Sequence, residues 1–177
     1  MTKRAAVPVP PSRAKRPAIS KPSASLFAAK PMGNKVGFLI RRLHQLHLGL
    51  FIEETGGIDI TPMQFTVLSL LCQRGEMEQS ELAVEAGMDR TNASEVVRRL
   101  QSRGQLDVRV HPDHGRRRLL NLTPEGLAML KRVDPGAQRA HQRIVEGLDS
   151  RHRDLFVELM RQAVSRQGMP LTPDKTQ

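Results

Sequence analysis

The feature that most constrains this chain is a pair of short helical patterns divided by Gly87 and followed at once by two short strand patterns. Residues 79–86 predict a short helix, with small Ala83 where a second helix can cross it closely. Gly87, four residues on, meets the need of a tight turn for a left-handed or crowded backbone. Asp89 is a natural N-cap for the next helix, which runs to Arg103 and is stopped by Gly104. Residues 106–110 and 118–122 then read as strands, and the segment 111–117 between them is rich in turn formers and charge. Two short helices joined by a tight turn and followed by a hairpin predict a winged helix-turn-helix.

The second helix of that pair is divided by chemistry. At about 100° per residue, Ala93, Val96, Val97 and Leu100 share one face and belong to a core. The opposite face carries Thr91, Ser94, Glu95, Arg98 and Ser102, with Asn92 and Arg99 on a flank and Arg90 at the helix start. Short hydrogen-bonding residues and arginine on a helix of this width suit the major groove of DNA, and Arg90 is placed for a phosphate. The hairpin tip is read as residues 113–118, with Gly115 permitting the turn. One of its arginines, Arg116 or a neighbour such as Arg117, can enter the narrow minor groove beside the recognition helix. Asp113 would repel phosphate, so it is read as a partner that orients an arginine.

Helical patterns flank this lobe on both sides. From Val36 to Glu54, apolar residues at Val36, Leu39, Leu43, Leu46 and Leu50 have heptad-like spacing, widened by Ile40, His47 and Phe51. A stripe so wide must be covered, and a second copy of the chain is a good candidate. Gly56 and Gly57 end that helix, and Thr61, Pro62 and Gln64 form the start of another with a capping box. Thr123, Pro124 and Glu125 open a later helix, in which Pro135 is expected to force a kink or an interruption. Leu155, Phe156, Leu159, Met160 and Val164 predict a last one. The expected fold is mainly α with a small β-hairpin wing, assembled as a homodimer. Residues 35–167 form the regulator domain, with 35–56 and 124–166 as dimerisation helices and 61–122 as the DNA-binding lobe.

The chain has no Trp and no Tyr, so its core must come from Leu, Val, Ile, Met and Ala, which favours helix packing. Its formal charge of +10 favours a polyanionic partner, nucleic acid or an acidic membrane surface. Much of that charge lies in residues 1–34, which carry seven Lys or Arg, six Pro and no acidic residue. Such a segment predicts a disordered basic arm, either a solvated tail or a nonspecific contact to the DNA backbone. Residues 168–177 predict a frayed tail. No apolar run is long enough to span a membrane, no secretory signal is present and Cys72 stands alone, which together point to a cytoplasmic protein.

The strings Ser80-Glu81-Leu82-Ala83, Met88 to Leu100 and Arg103-Gly104 resemble the MarR family of regulators, and so does the run from Asp113 to Gly126. The resemblance covers roughly residues 36–166. It implies an obligate dimer held by the first and last two helices, with two winged lobes reading a pseudo-palindrome. It also implies that Arg116 is the wing arginine and Asp113 its acidic partner. Glu78 departs from the family, which often has Ser or Thr at the start of that helix.

The effector is read from weaker signals. Cys72, next to Leu70 and Leu71, is expected to be a buried structural thiol, and thiol-sensing members that resemble this family surround their Cys with tyrosines that this chain lacks. His44 and His47 are three apart, with His141 and His152 as further ligands by type alone, so no metal and no other cofactor is expected. Arg41 to Gln45, Phe51 to Glu54 and Thr61 to Phe65 resemble a subgroup that answers to aromatic acids or their acyl-CoA thioesters. On that resemblance Arg41, Arg42 and His44 meet an anionic ligand, although surface ion pairing or DNA backbone contact would account for the arginines equally well. The expected function is a ligand-released repressor; the alternative is an architectural or adaptor DNA binder without small-molecule control. No metal cluster, phosphate loop or nucleophile–base pair suggests an enzyme.

Overall fold

A computed structural model of the chain describes residues 31–165. Residues 1–30 of the expected arm and the expected tail from 168 lie outside the described residues. The chain divides into two units at Leu39. In the first, a 3-10 turn at Met32–Asn34 precedes the opening turn of α1 (Val36–Glu54), so regular structure begins within the stretch that composition assigns to the arm. Val36 and Leu39 there are exposed.

The second unit holds the rest of α1, then α2 (Pro62–Arg74), β1 (Met77–Glu78), α3 (Gln79–Glu85), α4 (Arg90–Ser102), β2 (Leu106–His111), β3 (His114–Leu122), α5 (Pro124–Val145) and α6 (Ser150–Ser165). Capping fixes the helix starts. The Thr61 hydroxyl accepts the Gln64 N–H at 3.2 Å, and the Thr61 N–H donates to Gln64 Oε1 at 3.0 Å. Asp89 Oδ1 accepts the N–H groups of Thr91 and Asn92, both at 2.9 Å. The Thr123 hydroxyl accepts from Gly126 N–H and donates to the Gly104 carbonyl at 2.7 Å, which ties the start of α5 to the end of α4. Each such cap stabilises its helix by about 1 kcal/mol.

The three strands form an antiparallel sheet in the order β1-β3-β2. Two-residue β1 is too short to register in the sequence; it pairs Met77 with Leu120 and Glu78 with Leu119. The core joins the sheet to the helices through Phe51, Leu68, Leu71, Leu82, Leu100, Leu120 and Val133, all essentially inaccessible to solvent. Gly87 has φ of 65°, and the Met88 N–H returns to the Ala83 carbonyl at 2.8 Å, closing the turn between α3 and α4.

Three expectations are corrected. α5 runs without interruption through Pro135, so the break, one of the two expected outcomes, does not occur. Val133, Gly136, Ala137 and Ala140 are buried on both sides of the proline, and this packing holds the helix where the ring removes one backbone hydrogen bond. Cys72 is exposed, not buried. The buried face of α2 is Gln64, Phe65, Val67, Leu68 and Leu71, and one residue beyond Leu71 turns the side chain by about 100° away from it. The hairpin turns at Pro112 and Asp113, so Gly115 and Arg116 to Arg118 lie in β3 and Gly115 makes no turn. His111 pairs with His114 and Val110 with Arg118, so the register skips Gly115, Arg116 and Arg117. This irregularity satisfies the chain reversal earlier than the glycine suggests.

Candidate nucleic-acid interface

α4 follows α3, which buries Leu82 and Ala83, and lays Ala93, Val97 and Leu100 into the core, with Val96 partly covered. That rotation leaves Arg90, Thr91, Asn92, Ser94, Glu95, Arg98 and Arg99 exposed together, as the sequence predicts. Between α3, α4 and β3 lies an open groove of about 620 Å³, lined by Ser80, Arg90, Ser94 and the wing residues Arg116, Arg117 and Arg118, among others. Gln79 Nε2 donates to Ser94 Oγ at 3.0 Å, which joins α3 to α4 beside the groove.

The arginines of this face fall into two groups. Arg99 is paired with Glu95 one turn earlier on α4, Arg109 with Glu76, and Arg117 with Glu78 at 2.9 Å. Arg90, Arg98, Arg116 and Arg118 form no ion pair among the described residues. The Asp113 carboxylate forms none either; its backbone N–H donates to His111 Nδ1 at 3.1 Å. Asp113 occupies the turn at the far end of the hairpin, whereas Glu78 lies on the strand beside β3, so the acidic partner of a wing arginine is Glu78. The Arg117 guanidinium holds the Glu78 carboxyl below its ordinary range. Glu78 also begins α3 without a side-chain cap.

A second, smaller cavity of about 170 Å³ lies against α1, α2 and α5. His47, Phe51, Phe65, Ser69, Gln73 and His141 contribute to its lining. The His47 and His141 rings are 5.6 Å apart, and Phe51 and Phe65 are 5.8 Å apart. His47 Nε2 is buried with no hydrogen-bond partner among the described residues. Burial first, and then the neighbouring His141 and His44, lower the pKa of that ring and favour its neutral form. Arg41, Arg42 and His44 are exposed and do not line this cavity. His47 was legible as part of the α1 stripe; its meeting with His141 is a tertiary fact. Among the described residues no group of three or more His, Cys, Asp or Glu is disposed to hold a metal ion, and no helix is long and apolar enough to cross a membrane.

A capped helix with a polar outer face, a basic hairpin beside it and long flanking helices define a winged helix-turn-helix regulator. The MarR family model matches residues 58–117, and the PcaV transcriptional regulator of Streptomyces coelicolor, solved with its natural ligand, is 33% identical with a TM-score of 0.71, covering 78% of this chain and 97% of that one. The chain belongs to the MarR family of transcriptional regulators. BpsR of Bordetella bronchiseptica, whose structure concerns regulation of its DNA binding by 6-hydroxynicotinic acid, is 29% identical over 76% of this chain and 96% of its own, with a TM-score of 0.72. The transcriptional repressor NicR of Pseudomonas putida is 26% identical over 130 residues, which are 73% of this chain and 82% of NicR. These relatives are transcriptional regulators, not enzymes.

Proposed function

We propose that this chain is a homodimeric repressor that binds duplex DNA through α4 and the β2–β3 wing and is released by a small aromatic carboxylate. The observation that carries the DNA assignment is the groove between α3, α4 and β3, where Arg90, Arg116 and Arg118 stand without ion-pair partners among the described residues around the polar face of α4. Phosphates would take those guanidinium groups, and Thr91, Asn92, Ser94 and Arg98 would meet base edges in the major groove. Dimerisation is supported by α6, which buries no residue while carrying exposed Leu155, Leu159 and Met160, and by exposed Ile40 and Leu46 on α1. A helix of this length is marginal in water unless its apolar face is covered.

The effector assignment rests on the smaller cavity. A volume near 170 Å³ matches what a single aromatic ring fills. Phe51 and Phe65 supply apolar walls, and the imidazole rings of His47 and His141 supply the polar part of the lining for a carboxylate. BpsR responds to an aromatic acid of this size, and NicR is named a repressor. This site replaces the exposed Arg41, Arg42 and His44 as the place where the anion binds. A free acid is favoured over a coenzyme A thioester by the size of the cavity.

The test begins with mapping the genomic DNA that the protein protects. Calorimetric titration of 6-hydroxynicotinic acid, hydroxybenzoic acids and their coenzyme A thioesters follows, with and without that DNA. Binding of a free acid that is weakened about 5- to 150-fold by DNA is the expected result, because coupling between two sites is reciprocal. Equal affinity in both conditions would reject release, and no binding of any compound would reject the effector class.

A further inference from the structure

The wing presents three consecutive arginines to the groove, and one of them is already engaged. Arg117 Nη1 donates to Glu78 Oε1 at 2.9 Å, while the Ser80 hydroxyl donates to Glu78 Oε2 at 3.2 Å. Both carboxylate oxygens are thereby used, and Glu78 is much less exposed than Arg117, 23% against 55% of the side chain. The carboxylate is fixed by backbone on both sides. β1 pairs Glu78 with Leu119 of the wing strand, and α3 starts at the following residue. The sheet thus fixes the backbone of Glu78 two residues along the wing from Arg117, and the half-exposed Arg117 side chain completes the contact.

We propose that Glu78 is a positioning residue that sets DNA specificity by withholding Arg117 from phosphates. The inference rests on the DNA-binding reading above. Binding to random duplex is almost wholly electrostatic, so it scales with the number of guanidinium and ammonium groups that replace counterions on phosphates. Specific binding adds base contacts that do not depend on that number. A carboxylate that neutralises Arg117, and itself repels the backbone, lowers the nonspecific term most. The Arg116 and Arg118 guanidinium groups on either side have no ion-pair partners among the described residues and remain for productive contact. In place of the small hydroxyl residue that would cap α3, the chain holds an acid that caps nothing and restrains an arginine.

The experiment measures affinity for the protected operator and for a random duplex across a salt series. The wild type is compared with Glu78→Gln, Glu78→Ser, Arg117→Gln and Glu78→Gln/Arg117→Gln. Glu78→Ser removes the carboxylate but adds a capping hydroxyl to α3, so a purely structural role for Glu78 would move the two single variants in opposite directions. Both are expected to bind random duplex more tightly than wild type. Their salt slope should be steeper by about 0.9, one extra phosphate, so their advantage falls about threefold between about 50 and about 200 mM salt. Their ratio of operator to random affinity should fall, and Arg117→Gln should abolish the change in slope. An unchanged slope in both Glu78 variants would overturn the proposal, as would the same steepening when Arg117 is absent, which would make it a simple effect of removed charge. If the wild-type chain binds neither duplex with salt-dependent affinity, the DNA-binding reading itself fails, before any variant is compared.

Discussion

Gly136 of α5 lies against the backbone of Glu54 at the end of α1: a Cβ there would stand 2.5 Å from the Glu54 carbonyl oxygen. The same two helices are clasped by Arg139 and Arg143, which pair with Glu54 at 2.7 and 2.6 Å. Gly136→Ala should therefore destabilise the protein although alanine is the better helix former. The obstacle is backbone, so overpacking of about 1–3 kcal/mol outweighs a propensity gain of about 1 kcal/mol. Chemical denaturation at fixed protein concentration checks this, and a stabilised variant would contradict the close approach.

Acid should weaken the fold in two separate windows. His47 has its pKa lowered below 6.5, so the folded chain binds fewer protons there than the unfolded chain. Its contribution is complete above about pH 6.5 and is lost as pH falls through the depressed folded value. Glu54 and Glu78 are also lowered, by their arginines, from 4.5, so their contribution is lost only below that. Melting curves at about pH 7.5 and about pH 5.5 should show a smaller drop for His47→Gln than for wild type. Equal drops would mean that the ring is not held neutral.

Arginines on the DNA face should differ by whether they are paired. Arg98→Ala and Arg116→Ala, at positions without an ion pair among the described residues, should each weaken operator binding by about 1–3 kcal/mol with the fold intact. Arg99→Ala, whose guanidinium is paired with Glu95, should cost less. Titration by fluorescence anisotropy measures all three, and a larger loss for Arg99 would contradict the sorting.

Charge placed on α6 should separate the protomers. Leu159→Glu puts a carboxylate on the apolar face of a helix that buries nothing within its own chain. Sedimentation at micromolar concentration should show a dimer for wild type and a monomer for the variant. A monomeric wild type would remove the dimer assignment.

Cys72 should titrate with a thiol reagent in the native protein, one thiol per chain, because it is exposed. Reaction only after unfolding would restore the buried reading.

Local chemistry made much of this protein legible in advance. Thr61, Asp89 and Thr123 each accept the N–H groups of a first helical turn, and contacts two or three residues apart are written in the sequence itself. The same holds for the rotation of α4, where four apolar residues at helical spacing dictate which arginines face outward.

Tertiary structure decided what depends on residues far apart in the chain. Glu78 and Arg117 are 39 positions apart, and only β1, a strand of two residues with no sequence signature, brings them together. His47 and His141 meet because α5 continues through Pro135, which local rules would break, and it continues because buried residues on both sides of the proline hold it. The wing turns at Pro112 and Asp113, and the strands absorb Gly115, Arg116 and Arg117 in an irregularity of register, a property of the paired strands that the turn preference of one glycine does not announce.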